Sequence, residues 1–247
     1  MSFYYDHRVR LTGMDADHQG ICKASALLNH LQVAATLAAE AGGFGREVLM
    51  ERYGGFWMLA RSWYRLDRPL RWEDAVTIRT WHRGGKGAVS YRDYDILVDG
   101  ERIGEAVAGW VFANVETHKL MRLSTIEELA TTDGGEMCKS ITLSKLTCPE
   151  RLRVAERRRM RYSDTDLNGH VNNIRYADFV CDALEDALLI PGRYVSSMQI
   201  GYLAECRPGD LLTLELGELP EGHYARGLDE TGKARFEASI FFGNELP

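Results

Sequence analysis

The stretch from Arg161 to Asp186, RYSDTDLNGHVNNIRYADFVCDALED, decides the predicted fold because it joins closely spaced polar side chains to the start of a helix. Asp166, Asn168 and His170 stand two residues apart along this stretch. Side chains two apart point the same way on extended backbone. These three side chains are therefore predicted to converge on one site, provided that the segment is not a tight turn throughout.

The same stretch predicts a helix from Asn172 to Leu189. Asn172 or Asn173 is a suitable cap, since a short amide side chain accepts hydrogen bonds from the exposed N–H groups of a first helical turn. Apolar residues then recur at steps of three and four, at Ile174, Ala177, Val180, Cys181, Leu184, Ala187 and Leu188. We expect an amphipathic helix that has the polar cluster at its positive end.

The composition is typical of a globular protein with a substantial core. The chain has 247 residues, of which 45% are hydrophobic and 27% charged, enough for one large domain or two small ones. Its formal net charge of -6 argues against nucleic acid as the main partner. The five cysteines form no metal-binding pattern, so we expect reduced thiols, no metal, no cofactor and a cytoplasmic location. No window approaches the roughly 20 apolar residues of a membrane span, and no membrane contact is expected.

Two similar orders of secondary structure are predicted along the chain. The first begins with a strand at Phe3 to Leu11 and a helix at Lys23 to Ala41. Strands follow at Phe56 to Leu66, Ala75 to His82, Ala88 to Val98 and Arg102 to Ala113, with a hairpin turn at Asp99-Gly100. The second has a strand at Arg151 to Arg161, the helix from Asn172, and strands at Ser196 to Ala204, Leu211 to Leu219, His223 to Asp229 and Ala234 to Phe242.

An internal repeat marks the same point in both orders. Asp15 to Gly20 (DADHQG) aligns without gaps on Asp164 to Gly169 (DTDLNG), but Gln19 replaces Asn168 and Ile21 replaces His170. One long helix on an antiparallel sheet, present twice, indicates an α+β protein with two fused hotdog domains, a double hotdog whose sheets join edge to edge. The expected domains are residues 1–130 and 150–247, connected by residues 131–149.

The second copy of the repeat resembles the signature of the acyl-acyl carrier protein thioesterases, a family with two fused hotdog domains. Its run Asp-x-Asn-x-His-Val-Asn-Asn corresponds to Asp166 to Asn173, with Tyr176 following. Tyr202 to Cys206 (YLAEC) is similar to the family's Tyr-x-x-Glu-Cys segment. Trp110 to Asn114 (WVFAN) resembles part of the strand pattern in the N-terminal half of the family's proteins. Because no transit peptide precedes the first strand, a bacterial rather than a plastid type is expected.

This resemblance implies the hydrolysis of a fatty acyl thioester in which Glu205 activates a water molecule as general base. His170 and Asn168 would orient the water and the thioester, and Asp166 would hold one of them in place. The N–H groups of Val171 and Asn172, where the second helix begins, would stabilise charge on the carbonyl oxygen. The residues 1–130 would hold the acyl chain.

Other chemistries are compatible with the same residues. Cys206 could be a nucleophile activated by His170, although a residue that follows Glu205 on a strand would point to the opposite face. An acyl-thioester hydratase or dehydratase, or a non-catalytic acyl-binding module, would not need Asn168, His170 and Glu205 together. Thiol release and enoyl absorbance, measured on acyl thioesters, separate these functions.

A basic run next to the polar cluster is a candidate docking surface for the acidic acyl carrier protein. It contains Arg157, Arg158, Arg159 and Arg161, which would otherwise be a solvated strand edge that resists pairing. A monomer is compatible with the fused repeat, and a homodimer is the other option.

Overall fold

The structure is a computed structural model that describes residues 4–126 and 136–245. The chain divides into two compact units, each assembled from separated segments. The first consists of Met1–Leu11, Asn29–Tyr64 and Glu73–Leu143, and the second of Thr12–Leu28, Arg65–Trp72 and Ser144–Pro247. The loop that contains the first copy of the repeat therefore belongs to the same unit as the second copy.

The N-terminal half of the chain contains two helices and six strands among its described residues. They are β1 (Tyr5–Arg10), α1 (Ala24–Ala41), α2 (Arg46–Tyr53), β2 (Gly55–Leu66), β3 (Ala75–Lys86), β4 (Val89–Val98), β5 (Glu101–Asn114) and β6 (Leu120–Met121). The strands of the first unit lie in the order β1, β3, β4, β5, β2, and β6 pairs with β5. The chain turns between β4 and β5 at Asp99 and Gly100, whose φ angles of 52° and 83° confirm the predicted hairpin.

One face of the first unit's sheet looks toward α1. Ile78 of β3 pairs with Ile96 of β4, and both side chains are fully buried. His7 of β1 pairs with Ile78, and the His7 ring lies 6.4 Å from the ring of His30 on α1. Since directly paired side chains share a face, Ile78, Ile96 and their neighbours two residues away form the side of the sheet that faces the helix.

The C-terminal half repeats the arrangement. Its elements are β7 (Arg153–Arg159), α3 (Arg175–Asp182), α4 (Glu185–Leu188), β8 (Arg193–Tyr202), β9 (Leu211–Leu219), β10 (Gly222–Leu228) and β11 (Ala234–Asn244). The strands lie in the order β8, β11, β10, β9, β7. The Tyr176 ring of α3 packs 4.8 Å from the ring of Phe236 on β11, and residues such as Met198, Ile200 and Leu214 are completely buried. The core of this unit is therefore apolar and lies between the helix and the sheet.

The second helix is shorter than predicted and is interrupted. It begins at Arg175, because Asn172 forms a turn in which its Oδ1 accepts the N–H of Ile174 and its carbonyl accepts the N–H of Arg175. It ends at Asp182, and Leu184 departs from helical geometry with φ -121° and ψ 23° before the single turn of α4. The prediction of one helix from Asn172 to Leu189 is therefore wrong in its start and its continuity.

Two further differences concern the lengths of elements. The segment after α1, which no helix was predicted to occupy, forms α2 and ends at Gly54, a residue with φ 60° whose N–H bonds the carbonyl oxygens of Leu49 and Met50. Strand β8 ends at Tyr202 rather than Ala204, so Glu205 and Cys206 lie beyond the strand. In the described part of the chain no helix is both long and apolar enough to cross a membrane.

Candidate active site

The loop before α3 is a tight turn that is closed by a backbone hydrogen bond between Asp166 and His170. The N–H of Asp166 donates to the carbonyl of His170 at 3.0 Å, and the N–H of Gly169 donates back to the carbonyl of Asp166 at 3.0 Å. The Asp166 carboxylate accepts the N–H of Asn168 at 2.8 Å. Gly169 has φ 78°, a conformation that favours glycine. Asp166 therefore holds the backbone of Asn168 in place and fixes the loop from which His170 extends.

A backbone hydrogen bond joins this loop to the segment that follows β8. The N–H of Val171 donates to the carbonyl of Cys206 at 2.8 Å. His170 precedes Val171 and Glu205 precedes Cys206, so this bond makes His170 and Glu205 neighbours. Nε2 of His170 lies 3.5 Å from Oε1 of Glu205, and Nδ1 of His170 lies 4.0 Å from Oδ1 of Asp166. The imidazole is thus flanked by two carboxylates, at distances slightly beyond a normal hydrogen bond.

The pair of His170 and Glu205 is accessible to a substrate. The His170 side chain is 25% exposed and that of Glu205 is 42% exposed. Asp166 is less exposed, and Asn168 lies at the surface. All of these residues belong to the second unit. The structure therefore brings together, at an accessible place, the imidazole and the carboxylate that the sequence singles out.

Cys206 points away from this pair. Its residue is fully buried, and its thiol is a hydrogen-bond partner of the Tyr176 hydroxyl. Burial raises the pKa of the Cys206 thiol, which disfavours the thiolate that a nucleophile needs. The contribution of Cys206 to the site is its carbonyl, which accepts the N–H of Val171.

The two amides predicted to bind the carbonyl oxygen are already engaged. The N–H of Val171 bonds Cys206, and the N–H of Asn172 donates to the carbonyl of Asp164 at 2.8 Å. The helix also begins three residues later, at Arg175. A substrate oxygen would therefore contact Val171 and Asn172 only through shared hydrogen bonds, and the expectation of a free helix N-terminus at these residues is corrected.

Arg235 is a site residue that the sequence did not indicate. Its carbonyl accepts the N–H groups of Leu203 and Ala204 at 2.9 and 3.0 Å, and its Nη1 donates to the carbonyl of Glu205 at 3.1 Å. The guanidinium is held in turn by Asp229, with Nη2 2.9 Å from Oδ2. This residue of β11 thus binds three consecutive residues of the segment that carries Glu205.

The first copy of the repeat provides a comparison within the same chain. Its loop has the same backbone bonds as the loop before α3. They run from Asp17 N–H to Ile21 O (2.8 Å), from Gly20 N–H to Asp17 O (3.1 Å), from Gln19 N–H to Asp17 Oδ1 (2.8 Å) and from Cys22 N–H to Leu70 O (2.8 Å). The repeat predicted from sequence is therefore confirmed in its hydrogen bonds.

The two copies differ in the side chains that could do chemistry. Ile21, which is buried, stands in place of His170, and Pro69 precedes Leu70 where Glu205 precedes Cys206. Gln19, in place of Asn168, donates to the carbonyl of Leu188 at 2.9 Å and accepts the N–H of Gly192 at 2.8 Å. The aspartate is kept in both copies as a support of the loop, whereas the imidazole and the carboxylate occur only in the second.

The basic run lies on β7, the last strand in the order of the second unit. Arg158 is engaged, since it contacts Glu156 at 2.9 Å and Asp182 at 2.6 Å and lies over the Phe179 ring. Arg157, Arg159 and Arg161 are exposed. Three of the four arginines therefore remain as candidates for contact with a partner.

Comparison with known proteins agrees with the resemblance found in the sequence. The acyl-ACP thioesterase N-terminal domain matches residues 2–129, and the acyl-ACP thioesterase C-terminal domain matches residues 150–235. The chain belongs to the acyl-ACP thioesterase family. Similar family members include the chloroplastic dodecanoyl-[acyl-carrier-protein] hydrolase of Cinnamomum camphora, 26% identical over 204 residues, or 76% of this chain and 52% of that protein. Another is the oleoyl-acyl carrier protein thioesterase of Coriandrum sativum, 27% identical over 203 residues, or 74% of this chain and 52% of that protein.

Solved structures in the acyl-ACP thioesterase family have the same fold. An acyl-ACP thioesterase from Bacteroides thetaiotaomicron superimposes with a TM-score of 0.86 at 23% identity, with 97% of this chain and 98% of that chain covered. The 12:0-ACP thioesterase from Umbellularia californica gives a TM-score of 0.80 at 19% identity, with 98% of each chain covered. The predicted double hotdog is thereby confirmed. The chain spans about half the length of the curated relatives it matches.

Proposed function

We propose that the protein hydrolyses the thioester bond of a fatty acyl group carried by acyl carrier protein, which releases the free fatty acid and the carrier protein. The observation that carries this proposal is the pair of His170 and Glu205, 3.5 Å apart and accessible, in a chain of the acyl-ACP thioesterase family. The names of the Cinnamomum and Coriandrum relatives specify acyl carrier protein substrates.

Glu205 is the proposed general base. A water molecule placed between the carboxylate and the acyl carbonyl gives its proton to Glu205 as its oxygen attacks the carbonyl carbon. The tetrahedral intermediate then expels the thiolate, a good leaving group because a thiol has a pKa of about 8.5. The proton held by Glu205 neutralises the departing sulfur. A carboxylate therefore suffices without a strong acid.

His170, Asn168 and Asp166 are proposed to position the reactants. Nε2 of the imidazole lies 3.5 Å from Glu205, so His170 orients the carboxylate and the attacking water that is bound to it. The amide of Asn168, at the surface of the loop, donates to the thioester oxygen. Asp166 acts through the backbone of Asn168, which its carboxylate holds at 2.8 Å. Val171 and Asn172 would assist the oxygen only through the shared bonds described above.

The covalent alternative at Cys206 lacks support in the geometry. The thiol is buried against Tyr176, and its pKa is raised rather than lowered. A cysteine nucleophile needs an accessible thiolate beside a base. His170 instead faces Glu205. We therefore assign Cys206 a supporting role under the loop.

Docking of the carrier protein is proposed on the exposed arginines of the basic run. Arg157, Arg159 and Arg161 are free to meet an acidic partner, whereas Arg158 is bound to Glu156 and Asp182. Residues 1–130 are proposed to hold the acyl chain.

An assay on a series of acyl thioesters tests the function. The purified protein is incubated with acyl carrier protein and coenzyme A thioesters, and thiol release and enoyl absorbance are followed in parallel. We expect thiol release from acyl carrier protein thioesters with no enoyl absorbance. Enoyl formation without thiol release would indicate a dehydratase, and binding without either change an acyl-binding module.

A further inference from the structure

The face of the first unit's sheet that looks toward α1 contains an unexpected group of polar side chains. Thr80 follows Ile78 by two residues on β3, and His82 follows Thr80. The strand register pairs His82 with Arg92 of β4. Alternation along each strand therefore places Thr80, His82 and Arg92 on the same face as Ile78, next to the helix.

Arg92 lacks the charged partner that a desolvated guanidinium normally has. Within the described residues its one polar side-chain contact is Thr80, whose Oγ1 accepts from Nη1 at 3.4 Å and itself donates to the carbonyl of Asp93. Removal from water lowers the pKa of Arg92, and no carboxylate of the described residues compensates for it. A cation that is removed from water without a counter-charge is costly, and an anionic ligand would relieve that cost.

His82 adds a second unsatisfied group beside it. Its Nε2 lies 2.8 Å from the Ser90 hydroxyl, while its Nδ1 is buried and has no hydrogen-bond partner. Burial, followed by the charge of Arg92, lowers the pKa of His82 to about 4, so the ring is neutral near neutral pH. In the tautomer in which the Ser90 hydroxyl donates to Nε2, Nδ1 carries the proton, and a ligand oxygen at Nδ1 would select that tautomer.

The second unit has different side chains at the equivalent positions of its sheet. Leu216 pairs with Ala225 there, at the position where Thr80 pairs with Tyr94 in the first unit. Leu214 occupies the place of Ile78. Leu214, Leu216 and Ala225 are buried and apolar. At the positions of His82 and Arg92 the second unit has Glu218 and His223, which contact each other with Nδ1 of His223 3.3 Å from Oε2 of Glu218. The second unit therefore provides a carboxylate at this place, whereas Arg92 has none among the described residues.

The chemistry of the ligand follows from the donors. As whole residues Arg92 and His82 are only partly covered, although Nδ1 of His82 is itself buried. Both offer hydrogen-bond donors, and a guanidinium matches a carboxylate because two parallel N–H groups meet its two oxygens. We propose that Arg92 and His82 form a subsite that binds a carboxylate carried on an alkyl chain. The alkyl chain rests on the proposed function, whereas the carboxylate rests on the donors alone.

Calorimetric binding of octanoate and 1-octanol tests this subsite without any catalysis. In the native protein we expect octanoate to bind more tightly than octanol. Arg92→Met should weaken octanoate binding about 10-fold or more, the effect of losing charge-assisted hydrogen bonds, and leave octanol unchanged. Arg92→Lys, which keeps the charge, should lose less, and His82→Phe offers an independent variant should Arg92→Met fold poorly. Equal affinity for the two ligands, or octanoate binding that neither Arg92→Met nor His82→Phe weakens, would overturn the subsite.

Kinetics then identify the source of the carboxylate. If the subsite binds a carboxylate at the end of the acyl chain away from the thioester, Arg92→Met lowers kcat/KM for an acyl thioester with a terminal carboxylate. It does not lower kcat/KM for the methyl-ended thioester of equal length. If it binds the released fatty acid, inhibition by octanoate weakens in Arg92→Met while both thioesters are hydrolysed as before. Absence of any hydrolysis would refute the proposed function and leave the binding result intact.

Discussion

Replacing Cys206 by alanine distinguishes water attack from covalent catalysis. The thiol is fully buried and partners the Tyr176 hydroxyl. Its removal takes one hydrogen bond from that hydroxyl, which keeps its bond with the backbone of Cys206, and this should lower the free energy of unfolding by about 0.5–1.5 kcal/mol. The carbonyl that receives the N–H of Val171 is unaffected by the substitution. His170 and Glu205 therefore keep their places, and we expect kcat to stay within about threefold of the native value.

The measurement combines urea unfolding with steady-state kinetics on one acyl thioester. Tyr176→Phe serves as the control, since it removes the bond to the thiol, together with the one to the Cys206 backbone, and keeps the thiol. Both variants should keep turnover, and Tyr176→Phe should lose at least as much stability as Cys206→Ala. If Cys206 were the nucleophile, Cys206→Ala would lose roughly 10⁴-fold or more in kcat, and Tyr176→Phe would not. That pattern would refute the assignment of the base.

Three further predictions concern other parts of the molecule. Arg235→Met removes the hydrogen bond to the Glu205 carbonyl at 3.1 Å, so we expect kcat to fall about 10- to 100-fold with little change in KM, and an unchanged kcat would exclude a positioning role. Replacing Arg157 and Arg159 by glutamate should raise KM for acyl carrier protein substrates and not for small thioesters. The same changes at the equivalent β1 residues, Arg8 and Arg10, should leave KM for both substrates unchanged. An equal rise in KM for both substrates would refute the docking proposal. Burial raises the pKa of the Asp93 carboxyl to about 6, above its value in the unfolded chain. The folded protein therefore binds this proton more tightly than the unfolded chain, and the resulting stabilisation is complete below about pH 4 and is lost as the pH rises through 6. Asp93→Asn should therefore exceed the native protein in the free energy of unfolding by about 2 kcal/mol near pH 8 and match it near pH 4, as measured by urea unfolding, and a constant difference would contradict this.

The fold follows from local signals wherever one element is specified by its own residues. The helix at Ala24–Ala41 appears where its apolar residues recur at helical spacing, and the hairpin at Asp99-Gly100 forms because both residues adopt positive φ. The repeat of Asp15 to Gly20 in Asp164 to Gly169 predicted two equivalent loops, and the structure gives them the same hydrogen bonds. These features depend on interactions between residues close together in the chain, so they can be predicted from the sequence.

Other features depend on contacts between distant segments. Helix α3 begins later than predicted because Asn172 forms hydrogen bonds with Asp164 and Ile174 instead of helical ones. The spacing of apolar residues gives no information on these competing bonds. The proximity of Glu205 to His170 was expected from a resemblance and requires the Val171 to Cys206 bond between two segments. Periodicity alone gave no sign of it.

Arg235 illustrates the same limit for the candidate site. Its role arises from β11 lying beside β8, which brings its guanidinium to the carbonyl of Glu205. Nothing in the residues around position 235 distinguishes this arginine from a surface residue. Arg92 is similar, because its lack of a partner becomes visible only when the strand register places it against Thr80.

The kinetics of Glu205→Gln test the central claim most directly. The amide preserves size and the contact with His170 but cannot accept the proton of the attacking water. Steady-state hydrolysis of an acyl carrier protein thioester should show kcat reduced by about 10²- to 10⁴-fold, the usual contribution of a general base, with KM changed only a few-fold. A variant that keeps a third or more of the native kcat would contradict the assignment of Glu205 as the base.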